Sequence, residues 1–332
     1  MISSKIEISS KTIVFIALFI FLIWFTFQIT DILIMLFVSV ILTAAMGPLV
    51  DRLEKLRLPR PLAIVLVYIV VWGIVGSLIA SLIPSLVDQT RRLIQILPAA
   101  VNRIEFFNTH QQEIAQQFLS RVGELPQNLL RLVFNLFGNL LNVLTVLVMS
   151  FYLLLERGRQ EKYVSHFAGP ESAPRVNRVI EEVESRLGAW VRGEVVLMFA
   201  VGLLTYIGLV FLGLDIALPL AILAGFLEII PNVGPIISSV PSVLVALTVN
   251  PLIAAATASW YFLVQFLENN FLVPKVMQKA VGINPLVSLL ALIIGFKIAG
   301  SAGAILAIPA LIVTQIIASE VFASPKKAPG DE

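Results

Sequence analysis

The sequence predicts an all-α, polytopic membrane protein with about six full spans and two re-entrant helical hairpins. The first observation is composition, because 58% of the 332 residues are hydrophobic and only 13% are charged, whereas soluble domains carry about 25% charged residues. The second is a series of long apolar stretches. The third is that two of them, 216–249 and 284–319, are interrupted near their centres by helix-breaking residues.

Six of the apolar stretches predict complete spans. An α-helix rises about 1.5 Å per residue, so about 20 residues cross a hydrocarbon core of about 30 Å. The run from 13 to 27 lacks a small-residue cleavage site, which favours a first span over a signal peptide. The chain has no cysteine, which excludes disulfides and thiol catalysis. The six predicted spans are 12–28, 32–50, 62–87, 132–155, 193–213 and 252–272.

Two charged stretches interrupt the apolar pattern. In 88–131, apolar residues such as Ile104, Phe107 and Ile114 recur at helical spacing, which predicts amphipathic helices in a compact extramembrane region. In 156–192, the same spacing predicts a cytoplasmic amphipathic helix. The predicted organisation is spans one to three within residues 1–87, the extramembrane region 88–131, span four 132–155, the amphipathic helix 156–192, a transport core 193–320 and a polar tail 321–332.

The distribution of basic residues predicts the orientation of the chain in the membrane. Arg52 and Lys55 follow the second span, and Arg157 and Arg159 follow the fourth. Because cytoplasmic loops are enriched in Lys and Arg, these places are expected to be cytoplasmic. Both termini are then cytoplasmic, and 88–131 lies on the other side.

The two interrupted stretches are too short to form two spans each. Each arm has about 15 residues, or about 22 Å of helix, which is less than the hydrocarbon thickness. One span followed by one hairpin, twice and in opposite orientation, is typical of inverted-repeat transporters. The candidate break residues are Pro231, Gly234 and Pro235 in the first hairpin, Gly295, Gly300 and Gly303 in the second, and Pro274 after the sixth span.

Two acidic residues of the C-terminal half fall within apolar runs. Glu228 precedes the first break, where Asn232 adds polar groups, and Glu268 lies in "QFLENN". An acid at membrane depth is a functional candidate, because burying its charge is costly. The alternative is an acid at a helix end or in a structural pair with lysine.

Further polar side chains accompany these acids. The spacing of Gln265, Glu268 and Asn269 places them on one helical face, and Asn270 follows. They could bind a polyol or a cation through their oxygens, or hydrogen-bond between helices as packing contacts. Lys297, near the second break, could neutralise the acids, bind an anionic ligand or extend to an interface.

Four ordered motifs carry a family resemblance: "IIPNVGPIISSVPSVLVAL", "QFLENNFLVPKVMQK", "GINPLVSLLALIIG" and "GAILAIPA". With them the chain resembles the AI-2E (autoinducer-2 exporter-like) transporter family. The resemblance implies a homo-oligomer in the inner membrane of a bacterium or archaeon. Some members are linked to export of a quorum-sensing signal and others to sodium/proton exchange. Glu194 is a departure, since relatives often have Gln after the glycine.

Three functions follow as hypotheses, and none is enzymatic. The sequence contains no phosphate-binding loop and no H-E-x-x-H motif, and it predicts no cofactor, no metal site and no nucleic-acid partner. The leading hypothesis is an ion-coupled secondary transporter that exports a small polar organic solute by alternating access. The second is a sodium (cation)/proton antiporter, and the third is a membrane scaffold or channel-like assembly.

Overall fold

All regular elements in the described residues of the computed structural model are helices. The structure describes residues 10–101, 140–231, 233–277 and 284–322. A 3-10 turn, Arg157–Arg159, joins the fourth and fifth helices, and a π-helix, Glu268–Leu272, follows the eighth. The α-helices are α1 Ser10–Gln28, α2 Thr30–Lys55, α3 Arg60–Val101, α4 Leu140–Glu156, α5 Gln160–Phe211, α6 Ala217–Leu227, α7 Val233–Val249, α8 Pro251–Leu267, α9 Val273–Val276 and α10 Pro285–Phe322.

The helices have the length and the surface of membrane spans. Four segments are long and apolar enough to cross a bilayer: Thr30–Lys55, Arg60–Leu78, Leu140–Phe211 and Leu286–Phe322. Large apolar side chains are exposed along their outer faces and along α1. Surfaces of this kind are rare on soluble monomers, so the prediction of an all-α polytopic membrane protein is confirmed. The count of six full spans stays a prediction.

Two helices extend across the predicted region boundaries. Helix α3 continues past residue 87 to Val101, so the beginning of the 88–131 region belongs to the third helix; residues 102–139 lie outside the described residues. Helix α5 joins the predicted amphipathic helix and the fifth span into one element, bent at Gly169, where φ is 76°. The polar tail from 323 onward also lies outside the described residues.

The N-terminal helices α2, α3 and α4 form one packed unit. Its core contains Met46, Val50, Ile64 and Leu154, which are almost fully buried. At the polar end of this unit, five charged side chains form a network that we call the Arg157 cluster. Arg157 pairs with Asp51 at 3.2 Å and with Glu184 of α5 at 2.7 Å, and Arg60 pairs with Asp51 at 3.3 Å and with Glu54 at 2.5 Å.

The first predicted hairpin is formed by α6 and α7. Residues near the start of α6 and the end of α7, including Ala217, Leu220 and Ala246, share one core cluster, so the two helices run antiparallel. The break between them is tight, because a Cβ atom on Gly234 would overlap the carbonyl group of Leu227. Only glycine fits this position without moving the backbone.

The second predicted hairpin lies within α10. The chain reverses at Ala299 and Gly300, where φ of Gly300 is 58°. Gly295 and Gly303 then face each other so closely that a Cβ atom on either would overlap the carbonyl group of the other. The antiparallel arms are 285–298 and 301–322. Both interrupted hairpins are therefore present as helical hairpins; their re-entry into the bilayer stays a prediction.

Helix α5 holds the two hairpins together. It crosses α6 where Gly202 meets Gly225, with the Cα of Gly202 only 3.3 Å from the Cβ position of Gly225. Its residues Leu187 and Leu197 pack with Ile308 and Ile312 of the second hairpin. The hairpins also touch directly. The residues of that contact are Ile229 and Ile230 beside the first break and Ala291, Leu292, Ile305 and Ala307 on both arms of the second hairpin.

Candidate functional site: a buried carboxyl cluster

Three buried carboxyl groups lie near one another in the interior of the C-terminal half. Glu194 belongs to α5, Glu228 follows α6 at the first break, and Glu268 begins the π-helix. Their exposed fractions are 4%, 1% and 2%. Glu228 interacts electrostatically with both of the other acids. We call these three side chains the carboxyl cluster.

Glu228 is positioned by the way in which α6 ends. Its backbone N–H donates to the carbonyl oxygen of Ala224 at 3.2 Å, which is the last turn of the helix. Pro231 has no N–H to donate and cannot continue that pattern. The side chain of Glu228 lies in the protein interior. One of its oxygens has no hydrogen-bond partner, and its carboxyl group lies in hydrogen-bonding contact with Glu268.

Glu268 is positioned by the change from α-helix to π-helix. The side chain of Gln265 donates from Nε2 to one Glu268 carboxylate oxygen at 3.2 Å. A π-turn inserts an extra residue into the helical repeat and is frequent at functional sites. Asn269 and Asn270 consequently lie on exposed positions, and Asn270 Nδ2 donates to the carbonyl oxygen of Phe266 at 2.8 Å. Of the predicted face, only Gln265 and Glu268 point inward.

Glu194 is the member of the cluster that the sequence did not single out as a site residue. Its neighbour Gly193 makes room for Met277, whose sulfur lies 2.7 Å from the Cβ position of that glycine. One oxygen of Glu194 is buried without a partner. The available signal was an acid within the apolar run "GEVVLMFAV". Arg192 lies two residues earlier, so Glu194 also resembles the end of the charged segment that precedes the run.

Lys297, Pro274 and Pro235 are not members of the carboxyl cluster. Asn232 is outside the described residues. Lys297 is exposed beside the second break, and it forms no ion pair within the segments that the structure describes. Pro274 is exposed in the first turn of α9. Pro235 lies in the first turn of α7, where the carbonyl oxygen of Pro235 accepts from Ser238 Oγ at 3.0 Å.

The arrangement has definite chemical consequences. A carboxylate has only acceptors, so two carboxyl groups can hydrogen-bond to each other only when one carries a proton. The described residues contain no group of three or more His, Cys, Asp or Glu side chains arranged to hold a metal ion. No arginine or lysine pairs with the three acids among those residues. The cluster is therefore able to exchange protons without a fixed counter-ion.

Comparison with known proteins identifies the chain's relatives. The chain is 28% identical over 344 aligned positions to "Putative transport protein YueF" of Bacillus subtilis, covering 95% of this chain and 93% of the relative. It is 25% identical to "Putative transport protein YrrI" of the same organism, over 88% and 87% of the two chains. It is 24% identical to "AI-2 transport protein TqsA" of Escherichia coli, over 87% and 84%.

These relatives are named as transport proteins and not as enzymes. A family model described as "AI-2E family transporter" matches residues 13–323, which is nearly the whole chain. This agrees with the motifs around the first break and the π-helix. The chain belongs to the AI-2E family of transporters.

Proposed function

We propose that this protein is an ion-coupled secondary transporter that exports a small polar organic solute, with its pathway where the two hairpins meet. The observation that carries the proposal is Glu228, which is 1% exposed at a helix break and has a carboxyl oxygen without a partner. Acids at membrane depth are rare and mark transport pathways in many membrane proteins. Irregular backbone at membrane depth is tolerated where it is buried in protein or lines a water-filled cavity, and the first break lies directly beside Glu228.

The solute class rests on a relative. One similar protein is named an AI-2 transport protein, and that name favours a small polar organic solute such as a quorum-sensing signal. Such a solute needs hydrogen-bond acceptors and donors. The carboxyl cluster and Gln265 supply both beside the break, and Asn232 is proposed to add to them.

The proposed mechanism is alternating access. The two hairpins with the π-helix move against the unit of α2, α3 and α4, which is fixed at its end by the Arg157 cluster. In this arrangement the chain has six full spans and two re-entrant hairpins in an inverted repeat, with both termini cytoplasmic. It works as a homo-oligomer in the inner membrane of a bacterium or archaeon.

A cation/proton antiporter is the second candidate, and one observation favours it. The cluster contains three acids and no basic partner within the described residues. Such a site can release protons and accept a monovalent cation in their place. An organic solute need not be involved in that exchange.

Flux in proteoliposomes separates the two candidates. The purified protein is tested with labelled autoinducer-2, and separately for sodium and proton movement, beside Glu228→Gln. The exporter predicts solute flux in the wild type and its loss in Glu228→Gln. Sodium-dependent collapse of a pH gradient without solute flux would instead establish the antiporter.

The matched control is Glu184→Gln. This change is chemically identical and lies on α5, but Glu184 is paired with Arg157 outside the carboxyl cluster. It is expected to retain flux. Equal flux in wild type and Glu228→Gln would remove Glu228 from the mechanism and leave the first break as a packing feature.

A further inference from the structure

We infer that the carboxyl cluster is a proton-operated latch, in which bound protons hold α5, the first break and the π-helix together. The inference rests on the proposed function, since it names the coupling ion of that site. Its residues come from three separate elements, Glu194 from α5, Glu228 from the first break and Glu268 from the π-helix. A change in the charge of the cluster therefore acts on the packing of all three elements at once.

The hydrogen bonds assign the shared proton. Glu268 accepts an N–H donor from Gln265 at 3.2 Å, whereas one oxygen of Glu228 has no partner at all. A carboxylate is stabilised by donors, so the negative charge belongs on Glu268 and the proton on Glu228. Glu228 then donates to Glu268 across their contact. We assign a second proton to Glu194, because one of its carboxyl oxygens is also buried without a partner.

Loss of these protons leaves like charges packed together. Three carboxylates buried in one site repel one another, and burial has removed most of their hydration. The protons pass to water, and the elements must separate to let water or a cation reach the charges. Rebinding of protons removes the repulsion and allows α5, the break and the π-helix to close again.

No basic side chain of the adjoining elements pairs with the three acids in the part of the chain that the structure describes. Arg192 on α5, Lys275 on α9 and Lys297 on α10 are exposed and form no ion pair among the described residues. On α8, the hydroxyl group of Tyr261 is hydrogen-bonded to Ser242 at 2.7 Å. The three acids are therefore the groups whose charge sets the latch.

The absence of cysteine allows a direct test. Spin labels are attached to Val196→Cys on α5 and Ile236→Cys on α7, both of which are exposed positions outside the cluster. Distances between the labels are measured by pulsed electron paramagnetic resonance in liposomes from pH 5 to pH 10. We expect one narrow distribution at low pH and a longer or broader one at high pH.

Variants decide whether the cluster causes that change. Glu194→Gln with Glu228→Gln imitates the proton-loaded state, so its distribution should stay narrow at high pH. Glu184→Gln should respond as the wild type does. A wild-type distribution that does not change with pH, or a pH response that survives in the double variant, would overturn the latch.

The outcome is separable from that of the proposed function. Folding of the double variant is checked by circular dichroism and size-exclusion chromatography. If it does not fold, the single variant Glu194→Gln replaces it and should halve or abolish the change of the label distance with pH. A full pH response in that variant would overturn the latch. Solute flux is measured on the same liposomes. Absent flux with an intact pH response contradicts the exporter but leaves the latch standing.

Discussion

Helix α5 carries two acids ten residues apart, and their surroundings are opposite. Glu184 lies in the Arg157 cluster, where its carboxylate pairs with the Arg157 guanidinium at 2.7 Å. Glu194, about 15 Å further along the axis, lies in the carboxyl cluster with an oxygen that has no partner. One helix therefore connects a neutralised group of charges to an unneutralised one.

The difference separates a structural role from a functional one. In the Arg157 cluster every acid has a guanidinium within 3.3 Å, so its charge is balanced whatever binds elsewhere. Ion pairs of this kind fix the ends of α2, α3 and α5 relative to one another. In the carboxyl cluster, the charge depends on protons or on a ligand. The first cluster is suited to hold its helices and the second to respond.

The largest expected effect comes from making the carboxyl cluster resemble the Arg157 cluster. Gln265→Lys places an ammonium group where an amide now donates to Glu268. A permanent ion pair would keep Glu268 charged and remove the need for a proton, so flux should fall at least about tenfold. Flux in proteoliposomes at several pH values measures this.

Gln265→Met is the control for Gln265→Lys, because methionine has a side chain of similar length but lacks the positive charge of lysine. It should reduce flux only a few-fold, since Glu268 loses one donor but the cluster can still exchange protons. Wild-type flux in Gln265→Lys would contradict the distinction between the two clusters.

The opposite test is to remove a positive charge from the Arg157 cluster. Arg157→Gln leaves Glu184, which is only 11% exposed, without its guanidinium. Asp51 loses one of its two guanidinium partners and keeps Arg60 at 3.3 Å. We expect a loss of about 1–2 kcal/mol in the free energy of unfolding, moderated by the exposure of Asp51. Thermal unfolding followed by tryptophan fluorescence checks this. Flux per folded molecule should stay close to that of the wild type.

Arg159→Gln is the matched control. Arg159 is 71% exposed and pairs with Glu156 at 3.6 Å, and exposed pairs of this kind contribute little. Its unfolding temperature should not change measurably. If Arg157→Gln instead abolished flux without loss of stability, the Arg157 cluster would belong to the transport mechanism.

The sequence predicts the two hairpins because their breaks have local causes. Pro231 lacks the N–H that would continue α6, and Pro235 is suited to the first turn of a new helix. Gly234 allows the close approach of the backbone at Leu227, and the arm lengths follow by counting. The carboxyl cluster is harder to predict because its three members are separated by 34 and 40 residues and meet only when α5, α6 and α8 pack. The π-turn is also not predictable from the sequence. The spacing in "QFLENN" predicts that Gln265, Glu268 and Asn269 share one helical face, and the residue inserted by the π-turn moves Asn269 off that face.

A substitution at the turn of the second hairpin is expected to have a smaller effect on stability. Gly300 has φ of 58°, and a Cβ atom added there would meet no other atom. Gly300→Ala should therefore cost about 1–2 kcal/mol through backbone strain alone. Gly76→Ala in α3 is the control, since it also meets nothing and has ordinary helical φ. Thermal unfolding of the pair measures the difference, and equal stabilities would show that the turn is not strained.

Gly300→Ala also relates to the comparison of the two clusters. The arms of the second hairpin pack against Ile229 and Ile230, directly after Glu228. A strained turn should therefore disturb the carboxyl cluster more than the Arg157 cluster. A shift in the pH dependence of flux, with the salt dependence of unfolding unchanged, is the expected signature.

The smallest expected effect is that of Lys297→Met. Lys297 is the basic residue that the sequence offered as a partner for the buried acids, but its side chain is exposed beside the second break. Removing an exposed charge that has no ion pair among the described residues should change the free energy of unfolding by less than about 0.5 kcal/mol. Flux should stay within about twofold, because transport needs the cluster to lack a fixed counter-ion. Flux at low and high pH, beside wild type, is the measurement. A strong loss of flux in Lys297→Met that Lys297→Arg restores would show that a cation does reach the acids during transport, and the contrast between Glu184 and Glu194 would then hold only for the closed state.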